Sequence, residues 1–156
     1  MPQRKKPRPE ADVKQEDARA KLREHYSEKA VDHMLRPRNM GPLRHPDGHA
    51  RTESGHGEAV EFFLHLDGER ISACAFWTDG CAATMACASA ATELARDKAL
   101  DKVPAVVTAE RILAELDGLP EGNVHCAHLV AAAFREAAAD ARTQKADPWK
   151  KLYRKI

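Results

Sequence analysis

The sequence predicts an α+β domain in which a small three-stranded antiparallel sheet packs against helices. Two runs with the composition of β-strands, 59–66 and 70–78, flank Asp67-Gly68, which is a strong two-residue hairpin signal. Helical patterns lie before and after these runs and do not alternate with them. Alanine is abundant and aromatic residues make up only 5% of the chain, so we expect a core built largely from small-residue helices.

The first elements are predicted to be helical. Residues 10–24 are charged and contain no helix breaker, which favours a solvated helical extension. Residues 26–35 have the pattern of a short amphipathic helix with Ser27 as its N-cap. Its apolar face consists of Ala30, Val31, Met34 and Leu35. A loop rich in proline and glycine follows at residues 37–42.

The remaining elements follow in a simple order. A shorter strand within residues 49–55 is expected to pair with strand 59–66. After Asp79-Gly80-Cys81 the pattern predicts a helix that runs to about residue 97. A second helix is predicted over 108–116, with Thr108 as its N-cap, and an alanine-rich helix over about 124–142.

Length and charge limit the organisation of the chain. Its 156 residues are enough for one domain, which we place at 25–143. A charged N-terminal arm (1–24) precedes this domain and is expected to be disordered over residues 1–9. A basic C-terminal tail (144–156) follows it. The net charge of +1 gives no reason to expect binding to nucleic acid, and no apolar run approaches a membrane span. The N-terminus lacks the features of a secretory signal or mitochondrial presequence, so a cytoplasmic location is expected.

Cys81 is the most informative candidate for chemistry. It follows Gly80 at the junction of a predicted strand and helix, where backbone N–H groups and the positive helix end stabilise a thiolate. A thiolate is the form that binds metal or attacks sulfur. From its placement alone, a buried structural cysteine is an equal alternative.

Two further segments carry candidate ligands. His125-Cys126 lies at the start of the last predicted helix, and His56 stands between two glycines with Glu58 two residues later. Each also has an ordinary interpretation, as a capping-region histidine beside a packed cysteine or as a solvent-facing loop histidine. Together they would suit one tetrahedral site for zinc or for a small cluster. Cys74 and Cys87 are expected to pack in the core, with Cys87 pointing away from Cys81, and His128 to be an exposed helix residue.

With these residues in place, the chain resembles the IscU/NifU-type family of iron–sulfur cluster scaffolds. The segment YSEKAVDHMLRPRNMG at 26–41 is similar to the family's first helix and following turn. Gly80-Cys81 matches the second ligand motif, and Leu119-Pro120 followed by His125-Cys126 matches the third. The family's first motif, Gly-x-Cys-Gly-Asp, corresponds to SGHGE at 54–58, so His56 replaces the first cysteine and Glu58 the aspartate.

The resemblance implies a function. A scaffold of this family accepts sulfur from a cysteine desulfurase, combines it with iron, holds a [2Fe–2S] cluster and delivers it to apo iron–sulfur proteins. It is a carrier and not an enzyme, with its cysteines as transient persulfide acceptors, and two chains can share a cluster as a homodimer. The ligands implied here are His56, Cys81, His125 and Cys126, with Glu58 as a further metal ligand.

Two other interpretations remain open. The same residues would hold tetrahedral zinc in a protein that acts in sulfur relay or partner binding without cluster transfer. The basic termini alternatively suggest an interaction module that binds nucleic acid or an acidic partner. The Leu-Pro-Pro-Val-Lys segment by which a dedicated chaperone recognises the family reads LPEGN at 119–123, which argues against chaperone binding.

Overall fold

The computed structural model describes residues 10–149 and confirms the α+β class. Its helices are α1 (Glu10–Arg23), α2 (Glu28–Leu35), α3 (Ala82–Ala95), α4 (Val103–Val106), α5 (Ala109–Glu115) and α6 (Val124–Ala146). Its strands are β1 (Gly48–Glu53), β2 (Ala59–Asp67) and β3 (Arg70–Thr78). The predicted disordered arm at 1–9 and the part of the predicted basic tail beyond residue 149 lie outside the described residues.

The sheet has the order β1-β2-β3, and both pairings are antiparallel. The predicted hairpin is present, but β2 extends through Asp67, and the turn is formed by Gly68 and Glu69. Gly68 has a φ of +62°, a left-handed conformation that glycine adopts without steric cost. A register shift at His65/Leu66 leaves Ser72 without a partner, so Ile71 and Cys74 both face the core.

Chain segments lie against both ends of the outer edge of β3. Met40 forms a parallel bridge with Phe76, and Ala99 forms an antiparallel bridge with Arg70. The loop after α2 is thereby joined to the sheet: the Phe76 N–H donates to the Asn39 carbonyl at 3.0 Å, and the Gly41 N–H donates to the Phe76 carbonyl at 2.7 Å. This loop also contacts α3, since the Asn39 amide donates to the Thr92 hydroxyl at 3.0 Å.

Helices α3 and α6 form the core together with the sheet. Helix α6 packs on β1 and β2, while α3 packs on β3, α2 and α6. The contact between β1 and α6 is close: a Cβ on Gly48 would lie 2.6 Å from the Ala137 carbonyl oxygen and from the Ala141 Cβ. Phe62 and Phe134 meet edge to face across the sheet–helix interface, with ring centroids 4.9 Å apart. Alanines line both helices here, which confirms the expected small-residue core.

Helix ends largely follow the predictions. Ser27 caps α2 by accepting the Ala30 N–H at 3.0 Å, and Thr108 caps α5 by accepting the Arg111 N–H at 3.1 Å. Helix α3 ends at Ala95, two residues earlier than predicted, and α6 continues four residues further, to Ala146. The short helical segment at 100–106 was not predicted. Within the described residues, no helix is long and apolar enough to cross a membrane.

Candidate metal centre

Cys81 and Cys126 meet where two helices begin. Cys81 is the N-cap of α3, and Cys126 lies in the first turn of α6. Their sulfur atoms are 4.0 Å apart. Cys81 is exposed and Cys126 is completely buried, so the pair has one sulfur at the surface and one beneath it. The structure therefore brings together the two cysteines that the sequence singled out.

The junction between β3 and α3 holds Cys81 in place through the strand end beside it. The Asp79 carboxylate accepts the Ala59 N–H at 2.8 Å, and the Thr78 hydroxyl donates to the Ala59 carbonyl at 2.7 Å. The Thr78 hydroxyl also accepts the Gly80 N–H at 3.0 Å. These bonds tie the residues before Cys81 to the start of β2. The Cys81 thiol makes no capping hydrogen bond, so it is available for other chemistry.

Glu58 completes this junction. Its Oε1 accepts the backbone N–H of Cys81 at 3.2 Å, and its Oε2 accepts the Thr84 hydroxyl at 3.4 Å. A carboxylate beside the first turn of a helix also interacts favourably with the positive end of the helix dipole. The structure thus places Glu58 at the N-terminus of α3, beside Cys81.

The buried cysteine has a perturbed acidity. Burial raises the pKa of Cys126 to about 11, and the neighbouring Cys81 and Glu58 contribute in the same direction. A hydrogen bond from Thr84 opposes this effect and lowers the pKa. The His125 Nε2 lies 3.6 Å from the Cys126 sulfur. His125 therefore belongs to the same group of side chains as the two cysteines.

His56 does not join this group in the structure. It is exposed in the turn between β1 and β2, where its backbone N–H donates to the Ser54 hydroxyl at 3.3 Å. Gly57 beside it has a φ of +84°. Over residues 10–149, no three His, Cys, Asp or Glu side chains are arranged to hold a metal ion. The metal-ligand role of His56 and the ligand roles of Glu58, Cys81, His125 and Cys126 stay predictions.

The other cysteines are buried, as expected. Cys74 donates to the Thr92 carbonyl at 3.3 Å, and burial raises its pKa to about 12. Burial also raises the pKa of Cys87, and the nearby Cys126 and Cys81 add to the effect. Cys87 is completely buried, as predicted, and its orientation away from Cys81 stays a prediction. His128 is exposed, as predicted.

Thr84 is the site residue that sequence reasoning missed. It is completely buried, and its hydroxyl oxygen lies 3.5 Å from the Cys81 sulfur. The signal was present in the spacing, because Cys81 and Thr84 occupy the N-cap and N3 positions of α3, whose side chains face each other in capping motifs.

Comparison with known proteins identifies the family of this chain. Residues 25–147 match the NifU-like N-terminal domain. The chain belongs to the NifU-like N-terminal domain family. It is 34% identical over 116 residues to the iron–sulfur cluster assembly scaffold protein IscU 1 of Archaeoglobus fulgidus, covering 74% of this chain and 75% of that protein. It is 31% identical over 125 residues to the scaffold protein IscU of Escherichia coli K12, covering 77% and 96%.

Solved structures support the same fold. The NifU-like N-terminal protein of Brucella abortus has a TM-score of 0.51 and 20% identity, covering 86% of this chain and 99% of that structure. The scaffold protein described for the SUF system of Fervidobacterium islandicum also has a TM-score of 0.51, with 15% identity and coverage of 76% and 94%. At these identities the likeness shows the fold of this chain.

Proposed function

We propose that this protein is an iron–sulfur cluster assembly scaffold, which holds iron and a [2Fe–2S] cluster as its cargo and passes them to apo-proteins. One observation carries the proposal: the Cys81 and Cys126 sulfurs lie 4.0 Å apart at the ends of two helices, in a chain of the NifU-like N-terminal family. Its relatives in Archaeoglobus fulgidus and Escherichia coli bear the name of cluster assembly scaffolds, which supports the same role here.

The separation of the two sulfurs suits a shared metal ion. Two thiolates bound at about 2.3 Å to one tetrahedral ion are about 3.8 Å apart. The observed 4.0 Å is close to this value, so Cys81 and Cys126 can bind the same iron with little movement. The second iron of a cluster then takes its protein ligands from His125, Glu58 and His56. Imidazoles on one iron and thiolates on the other are the ligand pattern of Rieske centres.

The two cysteines differ in exposure, and we assign them different roles. Cys81 is at the surface, where it can accept sulfur from a cysteine desulfurase as a transient persulfide. Cys126 is buried and anchors the cargo from below. Delivery to an apo-protein proceeds through the exposed side. In this role the protein is a carrier in the cytoplasm and not an enzyme, and two chains sharing one cluster form a homodimer.

The segment before α6 corresponds to the segment that the family's dedicated chaperone recognises. Leu119-Pro120 is followed by a 3₁₀ turn over Glu121–Asn123, which leads directly into the helix that carries Cys126. The charged Glu121 and the neighbouring Gly122 are exposed at this turn. They occupy the positions at which the family presents a proline and a valine to its chaperone, so we expect no chaperone binding through this segment.

Zinc binding without cluster transfer is the second candidate. It is favoured by the same short distance between the two sulfurs, which fits a single tetrahedral ion, and by the presence of His125 3.6 Å from Cys126. Two cysteines with one histidine and either His56 or Glu58 form a ligand set that zinc accepts. In that case the protein would act in sulfur relay or partner binding.

The deciding experiment is anaerobic reconstitution with ferrous iron, cysteine and a cysteine desulfurase. The visible spectrum and the iron, sulfide and zinc contents are measured for the wild type and for Cys81→Ala, Cys126→Ala and Cys74→Ala. Cys74→Ala is the matched control, because this cysteine is buried and its thiol hydrogen-bonds to the backbone of α3. Mössbauer spectra of the loaded protein then distinguish an iron with two thiolates from one with imidazole or carboxylate ligands.

For a scaffold, we expect sulfide-to-iron charge-transfer bands with equal iron and sulfide. These bands should be lost in Cys81→Ala and Cys126→Ala and kept in Cys74→Ala. Transfer of the bound cluster to an apo-ferredoxin completes the assay. Colourless protein that retains one zinc ion in the presence of iron and sulfide would instead establish the zinc protein.

A further inference from the structure

Thr84 places a buried hydroxyl group beside the ligand side chains proposed above. Its side chain is completely buried, and its oxygen lies 3.5 Å from the Cys81 sulfur. It donates to the Glu58 carboxylate at 3.4 Å. One hydroxyl group therefore contacts both the exposed cysteine, whose sulfur lies 4.0 Å from that of Cys126, and the neighbouring carboxylate.

The position of Thr84 in α3 accounts for these contacts. In a capping box, the N3 side chain faces the N-cap residue and accepts its backbone N–H. Here Thr84 is at N3 and Cys81 at the N-cap, but the Cys81 N–H is accepted by Glu58 from the end of the β1–β2 turn. Thr84 is thus free to contact sulfur on one side and to hold the Glu58 carboxylate on the other.

Gly80 leaves space for the Thr84 side chain beside Cys81. A Cβ on Gly80 would lie 3.1 Å from both the Thr84 Cβ and its methyl carbon, which is closer than an ordinary contact. In a helix, a threonine side chain is largely confined to two χ1 rotamers. The contacts of the Thr84 hydroxyl with Cys81 and Glu58 are present without any ligand.

We propose that Thr84 is a positioning residue of the metal centre: its hydroxyl links Cys81 to Glu58 in the metal-free protein and donates its one proton to a ligand sulfur when metal is bound. A metal-bound thiolate can only accept hydrogen bonds, so the single hydroxyl proton turns from the Glu58 carboxylate toward sulfur. Hydrogen bonds to ligand sulfurs raise the reduction potential of an iron–sulfur cluster, and partners of metal ligands increase metal affinity. This inference rests on the proposed function only for the cluster itself, since any thiolate-bound metal experiences the same contacts.

The test compares Thr84→Val, which keeps the shape and removes the hydroxyl, with Thr84→Ser, which keeps the hydroxyl. Thr92→Val is the matched control: Thr92 is another completely buried threonine of α3, and its hydroxyl donates to the Ser89 carbonyl at 2.7 Å. Cobalt(II) binding to the reduced, metal-free proteins is followed through the sulfur-to-cobalt charge-transfer band. Where a cluster forms, its reduction potential is measured as well.

We expect Thr84→Val to weaken cobalt binding by roughly tenfold or more, as is usual when a partner of a metal ligand is removed. Its charge-transfer band should move to lower energy and its cluster potential should fall. Thr84→Ser should restore all three, while Thr92→Val should change only the melting temperature. If Thr84→Val fails to fold, Thr84→Ala against Thr84→Ser gives the same comparison with side chains that fit the space.

Equal cobalt affinity and an unchanged band in Thr84→Val and wild type would overturn the inference. Failure of the proposed function is a separate result, namely a wild type that builds no cluster. If such a protein still binds cobalt through its thiolates and loses affinity in Thr84→Val, the role of Thr84 stands without the scaffold role. Absence of thiolate-bound cobalt in the wild type would overturn both.

Discussion

Mild acid is expected to destabilise the protein through one buried histidine, His33. Its side chain is 8% exposed, and its Nδ1 lies 2.7 Å from the Ser89 hydroxyl oxygen. The same oxygen accepts the Arg38 backbone N–H at 2.8 Å. Ser89 can therefore give its proton to an unprotonated Nδ1, whereas a protonated His33 would force the hydroxyl to find another acceptor.

The pKa of His33 is lowered, first by burial and then by the positive charge of Arg38, while Asp32, Glu115 and Glu93 act in the opposite direction. A histidine whose pKa is lowered by folding contributes stability that is fully present above its unfolded pKa, near 6.5, and is lost as the pH falls below that value. One proton taken up on unfolding changes the free energy of unfolding by about 1.4 kcal/mol per pH unit. Between pH 7 and pH 5 the loss due to His33 is therefore at most about 2 kcal/mol.

The assay is urea denaturation of the metal-free, reduced protein at pH 7 and pH 5, followed by far-ultraviolet circular dichroism. His33→Gln stays neutral at both pH values and should lose less stability on acidification than the wild type. His25→Gln is the control, because His25 is exposed and should leave the pH dependence unchanged. The neighbouring Asp32 should contribute little to the stability difference between pH 7 and pH 5. The hydrogen bond that Arg38 donates to the Asp32 carboxylate holds the pKa of this carboxyl below its usual value. Equal losses in His33→Gln and wild type would refute the reasoning.

Three other predictions concern packing, capping and thiol access. Gly48→Ala should lower the free energy of unfolding by about 1–3 kcal/mol, because the new Cβ would lie 2.6 Å from atoms of α6. Gly55→Ala is the control and should change this free energy little, because a Cβ there would have no atom within 4 Å. Chemical denaturation of both variants measures the difference. Ser27→Ala should cost about 1 kcal/mol by removing the acceptor of the Ala30 N–H, and an unchanged melting temperature would contradict this role. Iodoacetamide at pH 8 should label Cys81 first, since Cys81 is the exposed one of the four cysteines. Peptide mass spectrometry measures the labelling rate of each cysteine, and equally fast labelling of Cys74 or Cys87 would disprove the prediction.

Most of the fold was predictable because its signals are local. The hairpin of β2 and β3 follows from strand-forming residues on either side of Asp67-Gly68, and α2 and α5 begin at the serine and threonine that cap them. Residues 100–106 were not predicted as helical, because they form only a 3₁₀ turn and a four-residue helix with Pro104 near its start. So short a segment shows no periodicity.

The site was predictable to the extent that its residues lie at helix ends. Cys81 and Cys126 both precede or begin helices, and the structure brings their sulfurs together. Burial of His33 depends on α3 packing against α2 and has no signature in the sequence.

The covered edge of β3 has a consequence for how the molecule avoids aggregation. An open edge strand offers unpaired N–H and C=O groups to any other chain that can add a strand. Here the loop residue Met40 and the segment at Ala99 already pair with the two ends of β3, which shortens the stretch available to a foreign strand. The opposite edge is the six-residue β1, which carries the charged residues Arg51 and Glu53. Both edges of the sheet thus disfavour the addition of a strand from another chain.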